Sequence, residues 1–368
     1  MKLASLKNGR DGTLIVVDRK LEHAVEVPGI ATSLLQALEY WADVEAKLKI
    51  VSSAIRWREE IVEPHLKGLR ADQKRSSVVA NRDTVQRGMA DLSRVLKEGE
   101  VSNTSELDAY KLTAVLPRAP QFVDGSAYLA HVERVRKARG AEMPPSFLTD
   151  PLMYQAVSDG FLAPTEPIRL SDEAWGIDFE SEVGVVVDEV PMGVTPAEAA
   201  GHIKLVLLIN DVSLRNLIPA ELGKGFGFLQ SKPRSALSPV AVTPDELGDA
   251  WKDGKVHLPL VTHLNDKLFG EPNAGVDMQF NFPQLITHAA KTRPLAAGTI
   301  VGSGTVANQD ESKGSSCLAE KRVLEIIKEG KPKTPFMKFG DRVRIEMFDK
   351  NGTSIFGAID QVVERYRM

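Results

Sequence analysis

The feature that most constrains this chain is Asp178-Phe179-Glu180-Ser181-Glu182 running straight into Val183-Gly184-Val185-Val186-Val187. The apolar run reads as a buried strand. Alternation puts positions i and i+2 on one face, so Glu180 and Glu182 present two carboxylates side by side. Two anions leaving water together are costly unless something compensates them. Three compensations are open. One carboxyl keeps its proton, basic side chains pair with them, or a hard divalent cation binds, and oxygen ligands suit Mg²⁺, Ca²⁺ or Mn²⁺. The competing reading is an exposed strand edge carrying two solvated glutamates.

A third acid favours a site. Leu205-Val206-Leu207-Leu208-Ile209-Asn210-Asp211 is an apolar strand ending in a carboxylate, and Asp124 is a fourth candidate, although lone acids at strand ends are usually turn residues. Basic groups lie nearby in sequence: Arg215 just beyond Asp211, and Lys232 within Gln230-Ser231-Lys232-Pro233, where solvation would be the ordinary fate of either. Of seven histidines only His131 is close to a candidate acid. Neither HExxH nor a cysteine–histidine spacing occurs, which argues against zinc. The turn Gly302-Ser303-Gly304-Thr305 would let backbone approach a small ligand, but no GxGxxG or Walker lysine makes it a nucleotide signature.

A chain of 368 residues implies two domains, or one large domain with an appendage. The stiff segment Leu116-Pro117-Arg118-Ala119-Pro120 places the boundary between residues 1–116 and 117–368. Before it, Leu14-Ile15-Val16-Val17 follows Asn8-Gly9 and Asp11-Gly12 as a hairpin strand. Ser33 can cap one helix bearing Leu34, Leu35, Leu38, Trp41, Val44 and Leu48. Residues 56–98 are charged and weakly helical in pattern, interrupted by Pro64 and Gly68. Beyond the boundary, strands are expected over residues 183–187, 205–209, 256–260 and 299–301. A final hairpin alternates Val343, Ile345 and Met347 with Arg342, Arg344 and Glu346, turns at Asn351-Gly352 and returns over residues 354–359.

With net charge −4 and no basic stripe, a nucleic-acid partner is not expected. The single cysteine, Cys317, forms no intramolecular disulfide and suits a reducing compartment. Without an apolar block long enough for a signal peptide or a membrane span, the chain is expected to be soluble and cytoplasmic, with no membrane partner.

In order, these pieces resemble the fumarylacetoacetate hydrolase family from Asp124 to the C-terminus. The resemblance rests on Asp124 and His131, the Asp178-Phe179-Glu180-Ser181-Glu182 run, Asn210-Asp211-Val212-Ser213-Leu214-Arg215, Lys232, the glycine turn, and Cys317-Leu318-Ala319-Glu320. The N-terminal third looks like the smaller SH3-like barrel of two-domain members, and residues 56–98 match nothing in the family. The resemblance implies a mainly β (α+β) protein with a β-rich catalytic domain, and a homodimer. It implies that Asp124, Glu180, Glu182 and Asp211 ligate one divalent cation, that His131 is the general base, and that Glu320 orients it. Arg215 and Lys232 would face developing negative charge. Tyr154, Thr305, Arg139 and Ser126 would contact substrate.

The implied reaction is hydrolysis of a carbon–carbon bond in a small diketo acid such as fumarylacetoacetate or an acylpyruvate. Decarboxylation, isomerisation or dehydration through an enolate is the sibling alternative. A non-catalytic metal-binding scaffold is the alternative from another class. Two positions depart from the family pattern. Ile218 stands where founding members carry a glutamine, with Asn216 the candidate replacement donor, and Ser126 stands where they carry a tyrosine.

Overall fold

In the computed structural model, residues 1–57, 105–130, 133–134 and 144–367 are described. His131, Arg139 and nearly all of the charged stretch 56–98 lie outside them.

Strands β1 (Lys2–Leu6), β2 (Thr13–Val17), β3 (His23–Glu26) and β4 (Ser105–Glu106) come from the N-terminal part. They are followed by β5 (Phe122–Gly125), β6 (Met153–Ala156), β7 (Ile168–Leu170), β8 (Ser181–Val187), β9 (Ile203–Asn210), β10 (Ala236–Leu237) and β11 (Val240–Val242). The last are β12 (Leu260–Leu264), β13 (Lys267–Gly270), β14 (Ile300–Gly302), β15 (Arg342–Met347) and β16 (Ile359–Arg365). The larger sheet runs β4-β3-β2-β1-β11-β9-β8-β14-β5-β6, with β10 pairing β9. A second sheet runs β13-β12-β15-β16-β7. The protein is mainly β, as its apolar runs imply.

The central pair β8–β9 is antiparallel, with Val185 opposite Val206 and Gly184 opposite Leu207. All seven residues of β8 are buried, so neither face meets water. Val183, Val185 and Val187 pack into one core with Val206 and Leu208. Val186, Leu205, Leu207 and Ile209 enter a second core with the helices of the N-terminal part. Those helices are α1 (Leu34–Glu39), capped by the Ser33 side chain, and α2 (Trp41–Trp57). The expected apolar face is there: Leu34, Leu38, Trp41, Val44 and Leu48 are all buried. The expected single helix is two, because the Tyr40 backbone leaves the helical region at φ −120°, ψ 34°. Periodicity reports which face is buried and is blind to a break between turns.

Three further expectations change. The N-terminal strands continue the large sheet through Lys2 opposite Val242, so the described residues show a sheet extension where a separate SH3-like barrel is expected. The run 256–260 divides into the short strand Lys255–Val256 and β12, since Pro259 between them has no N–H for a ladder. The final hairpin forms, but its returning strand begins at Ile359. The carbonyls of Ser354 and Ile355 instead receive the Lys2 ammonium, and that of Phe356 receives the Val240 amide. Among the described residues no helix is long and apolar enough to cross a membrane.

Because β9 is packed on both faces, truncation there leaves a void. Leu207→Ala, at a side chain with no exposure, is expected to cost about 2–5 kcal/mol in urea unfolding. Leu268→Ala, at an exposed position, should change stability by less than about 0.5 kcal/mol. Equal losses at the two sites would refute the two-core packing.

Candidate metal centre

Three strand ends deliver three acids to one point. Asp124 is in β5, Glu182 is the second residue of β8, and Asp211 follows the last residue of β9. Strand β14 lies between β5 and β8, and Gly302 is opposite both Asp124 and Gly184. A Cβ on Gly302 would stand 2.4 Å from Asp124 Oδ1 and 3.2 Å from Glu182 Oε2, so only glycine leaves room for the two carboxylates. At the turn that follows, the Gly304 amide donates to Asp124 Oδ1 at 2.9 Å. Gly304 has φ +73°, and a Cβ there would lie 2.1 Å from the Gly125 carbonyl oxygen. The glycine turn therefore packs against β5 and orients Asp124.

One oxygen each of Asp124, Glu182 and Asp211 lies within 4.8 Å of the others, and all three residues are buried. Asp211 is held by Ser235 Oγ at 2.5 Å on one oxygen and by Tyr154 Oη at 2.5 Å on the other. Glu182 is different: both its oxygens are buried without a hydrogen-bond partner among the described residues. Burial, then the charge of Asp211, pushes the Asp124 carboxyl up to about 8. Burial, then Asp124 and Asp211, pushes Glu182 well above the carboxylate range. A trio that can shed its protons only at such cost, with Glu182 receiving no donor from outside the trio among the described residues, fits a hard divalent cation bound through oxygen.

Glu180 meets a different solution, although the sequence places it beside Glu182. Its Oε1 accepts from Arg215 Nη2 at 2.7 Å and Thr305 Oγ1 at 2.8 Å. Its Oε2 accepts from Lys232 Nζ at 2.5 Å and Ser213 Oγ at 3.1 Å. Burial alone would raise its pKa, but Arg215 and Lys232 outweigh burial and hold Glu180 well below the usual range. Lys232 also reaches Asp211 Oδ2 at 2.6 Å, and Asp211 and Glu180 together overcome burial to keep the ammonium charged. Of the four expected ligands, three form the trio and Glu180 stands outside it in an ionic network. Arg215 and Lys232, expected to face a substrate's charge, are both engaged with carboxylates of the chain, and Thr305 donates to Glu180.

Asp124, Glu180, Glu182, Arg215, Lys232, Tyr154, Thr305 and Ser126 line one pocket of about 200 Å³, together with Ile218 and Phe228. Phe228 meets Tyr154 edge-on, with ring centroids 4.9 Å apart. Asn216 does not replace the missing family glutamine. It is exposed, and its Nδ2 donates to the Ala174 carbonyl at 2.8 Å. Glu320 is fully buried in the first turn of α6 (Leu318–Glu329), which among the described residues follows α3 (Pro196–His202), α4 (Ile218–Leu222) and α5 (Phe282–Ala289). Its Oε1 accepts from Arg134 Nη1 at 2.5 Å, and its Oε2 has no partner among the described residues. Sequence reasoning missed Ser235, Arg134 and Phe228, which carried no pattern to mark them. It also gave no role to Asp178, whose place two residues before Glu180 in the same alternation was a usable signal.

Residues 121–364 match the family profile for the fumarylacetoacetate (FAA) hydrolase C-terminal domain, and residues 1–67 match that of fumarylacetoacetase N-terminal domain 2. The chain belongs to the fumarylacetoacetate hydrolase family. A 2,4-didehydro-3-deoxy-L-rhamnonate hydrolase of Sphingomonas sp. (strain SKA58) is 27% identical over 208 residues, 56% of this chain and 64% of that relative. An oxaloacetate tautomerase of Xenopus laevis is 26% identical over 160 residues, 42% of this chain and 47% of the relative. The chain thus spans between about half and two thirds of these relatives' lengths. A fumarylacetoacetate hydrolase from psychrophilic Exiguobacterium antarcticum superposes with a TM-score of 0.59 at 16% identity, covering 100% of both chains. At that identity the likeness carries the fold alone. The family's members among these relatives are enzymes of several reaction types.

The trio sets a pH dependence. Asp124 and Glu182 have folded pKa values above those of the unfolded chain, so the folded state keeps protons that the unfolded state releases. Stability of the metal-free protein should therefore fall as pH rises from about 5 to about 8. Saturating Mn²⁺ should flatten that slope, and calorimetry near pH 6.5 in two buffers should show about two protons released per ion. A flat metal-free profile with no proton release would sink the metal centre.

Proposed function

We propose that this chain is a divalent-cation-dependent enzyme that hydrolyses a carbon–carbon bond in a small diketo acid. The observation that carries the reading is the Asp124–Glu182–Asp211 trio, with Glu182 free of any other partner among the described residues, at the wall of a pocket that also holds Lys232, Arg215 and Tyr154. A bound cation would polarise a substrate carbonyl and offset the negative charge of a departing enolate. The remaining chemistry falls to side chains. Burial and the neighbouring carboxylates hold the Tyr154 hydroxyl well above its ordinary pKa, so it stays protonated and donates to Asp211 Oδ2. Lys232, kept charged by its two carboxylates, supplies positive potential beside that hydroxyl.

In the proposed hydrolysis His131 takes a proton from water, the oxygen adds to a carbonyl carbon, and the carbon–carbon bond breaks. Its electron pair leaves with the enolate fragment, which is then protonated. Glu320 is the residue proposed to orient His131, and its Oε2, which has no partner among the described residues, supports that assignment. Arg139 and Ser126 are proposed to contact the substrate, with Ser126 at the pocket wall.

A second reading is enol–keto tautomerisation of an oxo acid. It is favoured by the activity of the relative from Xenopus laevis, an oxaloacetate tautomerase.

The discriminating assay follows loss of diketo-enol absorbance for fumarylacetoacetate, acylpyruvates and oxaloacetate, with products identified by mass spectrometry, before and after chelation. Hydrolysis gives two acids from a diketo substrate in a cation-dependent reaction. His131→Ala is expected to lower kcat by about 10²–10⁴ with Mn²⁺ affinity nearly unchanged, whereas Glu182→Gln should lower both. Tautomerisation without cleavage, or near-full activity in His131→Ala, would displace hydrolysis in favour of the second reading.

A further inference from the structure

Asp178 belongs neither to the trio nor to the pocket wall, yet it is fully buried. Burying a carboxylate completely is unfavourable unless its lone pairs are used. Here all three of its contacts lead to the site. Oδ1 accepts from the Leu318 amide at 2.7 Å, and Oδ2 accepts from the Ala319 amide at 2.9 Å and from Arg215 Nε at 2.8 Å.

The two amides open helix α6, where free N–H groups and the helix dipole both favour an anion. The residue at the cap position is a poor substitute. Cys317 offers only its sulfur, 3.3 Å from the Glu320 amide, and sulfur is a weak acceptor. Asp178, from a distant strand, therefore does the capping of the helix that carries Glu320. The guanidinium it holds reaches on through Nη2 to Glu180 Oε1, and Glu180 Oε2 meets Lys232, which meets Asp211. A single carboxylate thus joins the helix bearing Glu320 to the cationic side of the pocket.

We propose that Asp178 is a positioning residue: by holding Arg215 and the first turn of α6 with one carboxylate, it sets the cationic wall of the pocket and Glu320 in register with each other. The inference rests on the reading of the pocket as the place where an enolate-forming acid binds. It acts through Arg215, so its effect should vanish when the fork is removed. Lysine at position 215 keeps the charge but cannot bridge Asp178 and Glu180 with two arms.

The test is a double-mutant cycle of Asp178→Asn with Arg215→Lys, read in two ways. The first is binding of oxalate, a planar mimic of an enolate acid, to the Mn²⁺-loaded chain by calorimetry. The second is kcat and KM on whichever acid the unmutated protein turns over. Asp178→Asn alone should weaken oxalate binding and lower kcat by about 10–100-fold, with Mn²⁺ affinity and KM changed by less than about threefold. In the Arg215→Lys background the same change should cost less than about twofold.

A role confined to helix capping predicts the opposite: a lower melting temperature and equal losses in both backgrounds, which would overturn the proposal. Should Asp178→Asn fail to fold, Asp178→Glu, which keeps the charge on a longer arm, goes through the same cycle with the same criteria. Coupling in oxalate binding without turnover of any diketo or oxo acid would sustain the positioning role and remove the proposed reaction. Turnover without coupling would do the reverse.

Discussion

The structure turns on how much negative charge it buries in one place. Asp124, Asp178, Glu180, Glu182 and Asp211 are all nearly or fully buried, and among the described residues the cations in contact with them are Arg215 and Lys232. With all five ionised, two cations would leave three charges uncompensated, and a divalent cation would leave one. In a medium far less polarisable than water, that difference decides whether the cluster is tolerable. The protein divides the problem in space. Glu180 and Asp178 are neutralised by Arg215 and Lys232, while Asp124 and Glu182 are left facing each other with raised proton affinity. Asp211 belongs to both halves, since it joins the trio and also receives Lys232 and Tyr154.

Such a cluster survives only on a frame that cannot relax to separate its charges. The acids stand at the ends of β5, β8 and β9, strands locked into one sheet and covered on both faces. The same rigidity explains why glycine occurs where strands converge: at Gly302 any side chain would occupy the space of the Asp124 and Glu182 carboxylates. Site geometry and sheet packing are one constraint here, because the residue that lets the strands approach is the one that lets the carboxylates meet.

Some of this was legible in the sequence and some was not, for reasons that differ by residue. Alternation put Glu180 and Glu182 at the start of a buried strand, and two of the three possible compensations are there: basic side chains pair with Glu180, and Glu182 has raised proton affinity. Which acid takes which compensation was not legible, because Arg215 and Lys232 reach Glu180 across 35 and 52 residues of chain. Asp124 was a candidate with no more local signal than a turn residue, and only the family resemblance made it a ligand, since its partners are brought to it by β14 inserting between β5 and β8. The apolar face of α1 and α2 was legible, whereas the break at Tyr40 was not, because hydrophobic spacing is the same on either side of it. The returning strand of the last hairpin was misplaced because Lys2, at the other end of the chain, claims the carbonyls of Ser354 and Ile355. Asn216 was a reasonable candidate donor by proximity to Ile218, but its side chain turns away to the Ala174 carbonyl.

The division of charge also bears on what the pocket can accept. Arg215 and Lys232 are each already matched by two carboxylates, so an incoming acid that met them alone would have to displace those partners. A cation held by Asp124, Glu182 and Asp211 would change the balance, because Asp211 would then draw less on the positive charge of Lys232. Substrate acid and metal would then favour each other, each reducing the cost the other meets, which is a coupling free energy between two ligands of one site. The frame would strengthen that coupling: strands packed on both faces offer Glu182 no solvation, so its charge would be met by a retained proton or by a bound cation.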